Sequence, residues 1–392
     1  MNQWAAASFA GRFGGASRLE ARWPPRMRWL LPLLAAFLLS SPGAAQNANP
    51  KPWDDVVAAA KQEGNVVVIG SPDPVMRNNI IPAFTARYGI KVTYIAGGSG
   101  ELVGKIRVER SSGLYSVDVF MAGNNTTVNV LLPQKMLQPL RPLMVAPDVI
   151  DPAKWKSGKL RFIDPEQRYI LQLFSTVSDE LFLNTDYVKA DELRSIRDLL
   201  NPRWRGKISA EDPTISGSGG NLAGRLYADL GPDFVKAFYV DQAPLISRDR
   251  RLISDSLARG TQPICLTCRN DDVRELIKSG FKIIDVFELE GISPRLRPGQ
   301  FLLSVADRPP HPDAAQVFVN WIASKEALEI YSHVYGEVSL RTDVDESFLD
   351  PRMIPKPGVH YKDDGDFAWI ASGRQENSRK ARDLLLPLLK AQ

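Results

Sequence analysis

The chain has 392 residues, of which 44% are hydrophobic and 24% charged, with two cysteines and three histidines. That length exceeds what one compact core usually holds and needs no disulfide staples, and the composition excludes a disordered or collagen-like chain. The formal charge of +4 comes from the first 45 residues, whose five arginines face one glutamate; the rest holds 44 basic and 44 acidic residues, which gives no support to a nucleic-acid or membrane-surface role.

In chain order, Arg26 and Arg28 precede an apolar run over residues 29–39, and small residues end at Ala44 and Ala45. A charged segment, a short apolar core and a small-residue cut site make residues 1–45 a secretory signal peptide, with residues 1–26 as an extension ahead of Met27. The apolar run of 11 residues is too short to cross roughly 30 Å of hydrocarbon, so no membrane insertion is expected after cleavage and the periplasm is the expected location.

Beyond Gln46 the elements alternate. Residues 53–61 read as a helix, 65–69 as a buried strand, 78–88 as a helix, 90–95 as a strand, 101–110 as a helix and 117–121 as a strand. Apolar β-branched strands separated by helices predict a parallel sheet covered on both faces, the α/β class. A Pro-rich stretch with one Trp, 139–165, reads as the first crossover to a second lobe. There the alternation resumes with strands over 169–174 and 180–184, a helix over 196–200, a strand over 207–210, a helix over 220–230 and a strand over 263–267. Residues 362–392 read as a terminal helix docked on one lobe, and Trp204 and Trp321 as core residues.

Small polar residues cluster where the first three strands end, at Ser71 and Asp73, at Ser99 and Gly100, and at Asn124 and Asn125. Ligands of open α/β sheets sit beyond such ends, where helix N-termini present unpaired N–H groups. Cys265 and Cys268 are candidates for a local disulfide. A thioredoxin-like motif would open a helix whereas this pair ends a strand, and a zinc site would need two further ligands; no metal or cofactor is expected. His311, His333 and His360 are dispersed, and the one Gly-Ser-Gly-Gly run, Gly217 to Gly220, lacks nucleophile-elbow spacing, so no catalytic set is assigned.

Four stretches carry a family resemblance: residues 198–208, the loop 211–219, His311-Pro312 leading into an amphipathic helix that ends at Ser324-Lys325-Glu326, and Ser339-Leu340-Arg341. With them, residues 53–341 resemble the type 2 periplasmic solute-binding proteins of ABC importers, within them the branch of ferric-iron-binding proteins. The resemblance implies two α/β lobes joined by a hinge, with the ligand in the cleft between them. Carried over, residues 51–163 plus 286–325 form one lobe and 164–285 plus 326–392 the other. It also implies a monomer that delivers a small solute to a membrane permease and does no chemistry.

The iron ligands of that branch do not carry over. The positions of its His, Glu and paired tyrosines fall near Asp73, Gly123 and Asn270-Asp271, so only Asp73 and Asp271 offer an oxygen to a hard cation. Thr214, Ser216, Gly217 and Ser218 form a loop before a helix and are candidates to cradle an anion, with Arg248 and Arg269 as counter-charges. An organic or phosphate-bearing anion, or chelated iron, is the expected solute. The alternative from another class is an exported enzyme or a sensory ligand-binding protein using the same cleft.

Overall fold

The computed structural model describes residues 52–391 apart from 73, 98, 179–180 and 216; the expected signal peptide, Asp73 and Ser216 therefore lie outside the described residues. The first sheet is built on Asn65–Gly70, whose run of valines and isoleucine is buried on both faces. Lys91–Ala96 and Val119–Ala122 lie parallel on its two sides, Leu302–Ala306 pairs antiparallel with the latter, and the hairpin Arg161–Phe162 and Leu171–Gln172 completes the order. Side chains alternate across the pleat. Val66, Val68, Val119, Met121, Leu303 and Val305 thus fill one core, and Ile69, Phe120, Ala122, Leu302 and Ala306 another on the opposite face.

Helices cover these faces. Trp53–Glu63 buries Val56 and Ala60 and ends at Gly64, whose φ of 68° is open to glycine at little cost. Phe84 packs its ring 5.0 Å from that of Phe318 and 5.3 Å from that of Trp321, an apolar anchor for the helix Pro312–Ile322.

The second sheet has the order Leu245–Ser247, Ile208–Glu211, Ile264–Cys265, Leu181–Asn184, Ile283–Val286. The same alternation sends Leu181, Leu183, Ile208, Ala210 and Ile264 to one core and Phe182, Cys265 and Ile283 to another. The helix Ser218–Lys236 packs on the first of these and kinks at Gly231, whose φ of 85° and ψ of 175° break it before Pro232. Cys265 and Cys268 are joined by a disulfide.

A third, three-stranded sheet of Thr176–Val177, Arg295–Arg297 and Lys362–Asp363 joins the two lobes. The crossover thus departs from the expected segment 139–165. Leu140, Met144, Val149, Trp155 and Phe162 of that segment are buried in the first lobe, because its Pro-rich backbone wraps the core instead of leaving it. Residues beyond 325 also divide differently from expectation. Ala327, Leu328, Tyr331 and Val344 pack in the first lobe, and Ala381 and Leu385 in the second. The sheets are mixed and not purely parallel, since the strands next to the crossings, Leu302–Ala306, Leu181–Asn184 and Ile283–Val286, run antiparallel to their neighbours.

Candidate functional site

The first wall of the site is a strand end. Val119–Ala122 runs out at Gly123, and the chain turns into the short helix Asn124–Thr126 and a π-helical turn, Thr127–Leu131. Thr127 ties this turn down by donating from its hydroxyl to the Gly123 carbonyl at 3.1 Å. Asn125 Oδ1 accepts from Asn129 Nδ2 at 2.8 Å and from Gln375 Nε2 at 3.0 Å, which links the wall to the C-terminal helix.

The second wall is the loop from Glu211 to the helix starting at Ser218. Asp212 organises it, its Oδ1 accepting from the Thr214 amide at 2.8 Å and the Thr214 hydroxyl at 2.6 Å. Arg248 donates from Nε to the other carboxylate oxygen at 2.9 Å. Burial alone would raise the Asp212 carboxyl, but these donors outweigh it and hold the group below its ordinary value. A Cβ on Gly219 would come 2.3 Å from the Asp212 carbonyl oxygen, and one on Gly220 2.3 Å from that of Ile215. The two glycines therefore let the first helical turn lie directly on the loop backbone. The opening N–H groups of that helix have no partner within it, and they give this wall a partial positive charge.

The third wall is the helix Arg374–Lys390, which brings Arg374, Gln375, Ser378, Arg379 and Arg382 to the cavity. Together the walls enclose about 710 Å³. Burial lowers the Arg374 guanidinium from its ordinary value, and Asp364 opposes that only in part. What the arrangement offers is hydrogen-bond donors and positive charge, the chemistry that holds oxyanions. Among the described residues no group of three or more His, Cys, Asp or Glu is placed to hold a metal ion.

Of the residues singled out from sequence, Asn124, Asn125, Thr214 and Gly217 line this cavity. Ser218 opens the helix beside it. Ser71 lines a small apolar pocket that shares Gly123 and Thr126 with the cavity. Ser99 and Gly100 open the helix Ser99–Ser111, and Asp271 lies in the first turn of Asn270–Lys278. Arg248 is an exposed partner of Asp212 and Arg269 an exposed residue ahead of Asn270; neither is a lining residue. Sequence reasoning missed the arginines of the C-terminal helix. Their spacing held a signal, because Arg374, Ser378 and Arg382 recur every four residues and share one face.

Other features lie elsewhere. His311 donates its backbone N–H to Asp118 at 2.8 Å and sets Nδ1 2.8 Å from the same carboxylate, at the end of the strand opposite Gly123. A groove of about 790 Å³ on the first lobe runs between Trp53, Tyr88, Trp321 and His333, and no strand end contributes to it.

Residues 79–356 match the family described as bacterial extracellular solute-binding protein. A Haemophilus influenzae protein described as uncharacterized is 22% identical over 285 residues, 70% of this chain and 77% of its own. Among solved structures, the Trichodesmium protein IdiA (FutA) in complex with iron and citrate superposes with a TM-score of 0.58 at 18% identity, covering 83% of this chain and 99% of that one. The periplasmic binding protein AfuA of Actinobacillus pleuropneumoniae, with exogenous fructose-6-phosphate bound, gives 0.55 at 18% identity over 84% and 99%. At that identity the structural likeness shows the two-lobed periplasmic-binding fold.

Proposed function

Because the chain belongs to the bacterial extracellular solute-binding proteins, we propose that it captures an oxyanion-bearing organic solute between its lobes in the periplasm and hands it to an ABC-type permease. The observation that carries this reading is the cavity itself. Its about 710 Å³ is lined from the first lobe by residues 123–126, from the second by Pro213, Thr214, Ile215, Gly217, Gly220 and Asn221, and by the arginines of the C-terminal helix. A solute touching both lobes favours their closed arrangement, since a ligand shifts an equilibrium only through its differential affinity for the two states.

Thr214, Asn124 and Asn125 supply neutral polar contacts, while the helix opening at Ser218 and Arg374 supply positive charge. AfuA holds a sugar phosphate and the Trichodesmium protein iron with citrate. Both precedents support a phosphate ester or a citrate-type polycarboxylate, free or as a metal chelate, as the class here. With its donor-rich walls the cavity suits such an anion better than a bare ferric ion, which requires anionic oxygen ligands.

A thermal-shift screen tests the proposal. Ferric citrate, citrate, phosphate esters, thiamine and spermidine would be added in turn to protein stripped of carried-over solute by unfolding and refolding. A solute at about 100 times its Kd stabilises by about 2.7 kcal/mol and raises Tm by a few degrees. A rise confined to phosphate or carboxylate compounds is expected. No rise with any compound would remove the solute-binding reading.

A further inference from the structure

The arginine-bearing wall comes from beyond residue 356, where the family match ends. Its helix begins with a π-helical turn, Trp369–Gly373, and continues without a break into Arg374–Lys390. Before the cavity, Ile370 is buried in a cluster of the first lobe against which Phe367 and Ala371 also pack. After it, Ala381 and Leu385 are buried in the second lobe. One continuous helix is therefore rooted in both lobes, and residues 372–380 cross the cleft between the two anchors. The π-turn is satisfied from the first lobe, where Asn129 donates its side-chain amide to the Ile370 carbonyl at 2.9 Å. π-Helical turns inside α-helices recur at functional positions.

Three arginines on this helix face the cavity, and their surroundings differ. Arg379 and Arg382 lie 3.8 and 3.1 Å from Asp383, with side chains 60% and 48% exposed, so an acid and water already serve them. Arg374 is only partly exposed and, among the described residues, has no carboxylate within 4.0 Å. The acid that bears on it, Asp364, already accepts from Arg295 through Oδ1. A guanidinium drawn out of water without a partner is costly, and an anion entering the cavity removes that cost.

We infer that Arg374 is the charge-selecting, solute-contacting residue of this cleft, and that the C-terminal helix carries it between the lobes so that a bound oxyanion is gripped by both. The inference rests on the solute-binding reading and adds to it a specificity residue from outside the stretch that matches the family. Its fork of donors takes two oxygens of a phosphate or carboxylate, while the opening N–H groups of the helix at Ser218 face the others.

Calorimetric titration of the full mature protein tests it, with glycerol 3-phosphate, fructose-6-phosphate, inorganic phosphate and citrate as anions and fructose, thiamine and spermidine as non-anionic comparators. Arg374→Ala, Arg374→Lys and, as a control away from the cavity, Arg203→Ala would each be measured. Arg374→Ala is expected to weaken the anion that wild type binds best by about 10- to 100-fold. Arg374→Lys should recover part of this, since charge returns without the planar fork. The Tm of solute-free Arg374→Ala should stay level or rise, because a partly desolvated charge with no carboxylate beside it is gone; a merely structural role would lower it. Unchanged affinity of Arg374→Ala for that anion overturns the inference. So does a tight solute among the comparators that Arg374→Ala binds normally, although the protein would remain a solute receptor. Binding of no compound at all would overturn the receptor reading together with the inference.

Discussion

At the scale of single residues, the most consequential side chain outside the cleft is Arg341, fully buried within the motif Ser339-Leu340-Arg341. It donates to Asp343 through Nε at 2.8 Å and Nη2 at 2.9 Å, and through Nη2 to Asp148 Oδ1 at 2.9 Å, with its guanidinium 5.5 Å from the Trp155 ring. The hydrogen bonds from Arg341 hold the Asp343 carboxyl below its ordinary value. A carboxyl depressed by folding contributes stability that is present above its unfolded pKa and is lost as pH falls through the lower folded value. Wild type should therefore lose this contribution below about pH 4. Asp343→Asn should be less stable than wild type at pH 7, with the gap closing toward pH 3 in urea titrations at both values. A gap that does not narrow with acid would mean that the pair adds nothing beyond packing.

At the scale of elements, the disulfide ties the end of strand Ile264–Cys265 to the residue before Arg269, ahead of the helix Asn270–Lys278. Thr267, inside the closed loop, accepts the Glu211 amide at 2.7 Å and so steadies the backbone that leads into the cavity wall. Closing so short a loop restricts the unfolded chain modestly, by about 2 kcal/mol on the chain-entropy model. Replacing both cysteines with serine should lower unfolding free energy by about that amount. The variant should also become insensitive to reductant added to the denaturation series; wild-type stability unaffected by reductant under denaturing conditions would contradict this. Legibility also differs between elements. Strands such as Asn65–Gly70 were readable because burial on both faces demands an unbroken run of β-branched residues. The loop 211–219 was readable because glycine, serine and proline punctuate it, and the helix after it was read to stop at Leu230, just before Gly231 breaks it. Strand direction was not readable, because the same apolar pattern serves parallel and antiparallel neighbours and only the crossings decide. The cavity-facing arginines escaped notice because a charged helical face at the end of a chain reads as a solvated one, and only the packing of Ile370 and Leu385 in different cores puts it across a cleft.

At the scale of the whole molecule, the two lobes are joined through three short strands, where Arg295 and Asp229 are buried and their other partners are partly exposed. Arg295, 2% exposed, donates from Nε to Asp364 at 2.9 Å, approaches Asp229 at 3.4 Å and stands 4.9 Å from the Trp369 ring. Lys362 also pairs with Asp229, and Arg161 with Asp363. The start of the C-terminal segment is thus tied to the joint that the other crossing strands form. Lobes linked by so few residues unfold together only if the joint is strong relative to each lobe alone. Arg295→Ala leaves the buried Asp229 with Lys362 as its remaining ion-pair partner among the described residues. Removing one member of a buried pair costs about 3–5 kcal/mol when the other is left unpaired, and Lys362 reduces that cost here. The single calorimetric transition expected of wild type should then separate into two, one for each lobe, and an anion filling the cleft should draw them together again, since it binds only when both lobes are folded around it. If Arg295→Ala instead melts in one transition only slightly below wild type, the joint's charges do not couple the lobes, and the helix rooted in both lobes is left as the element that does.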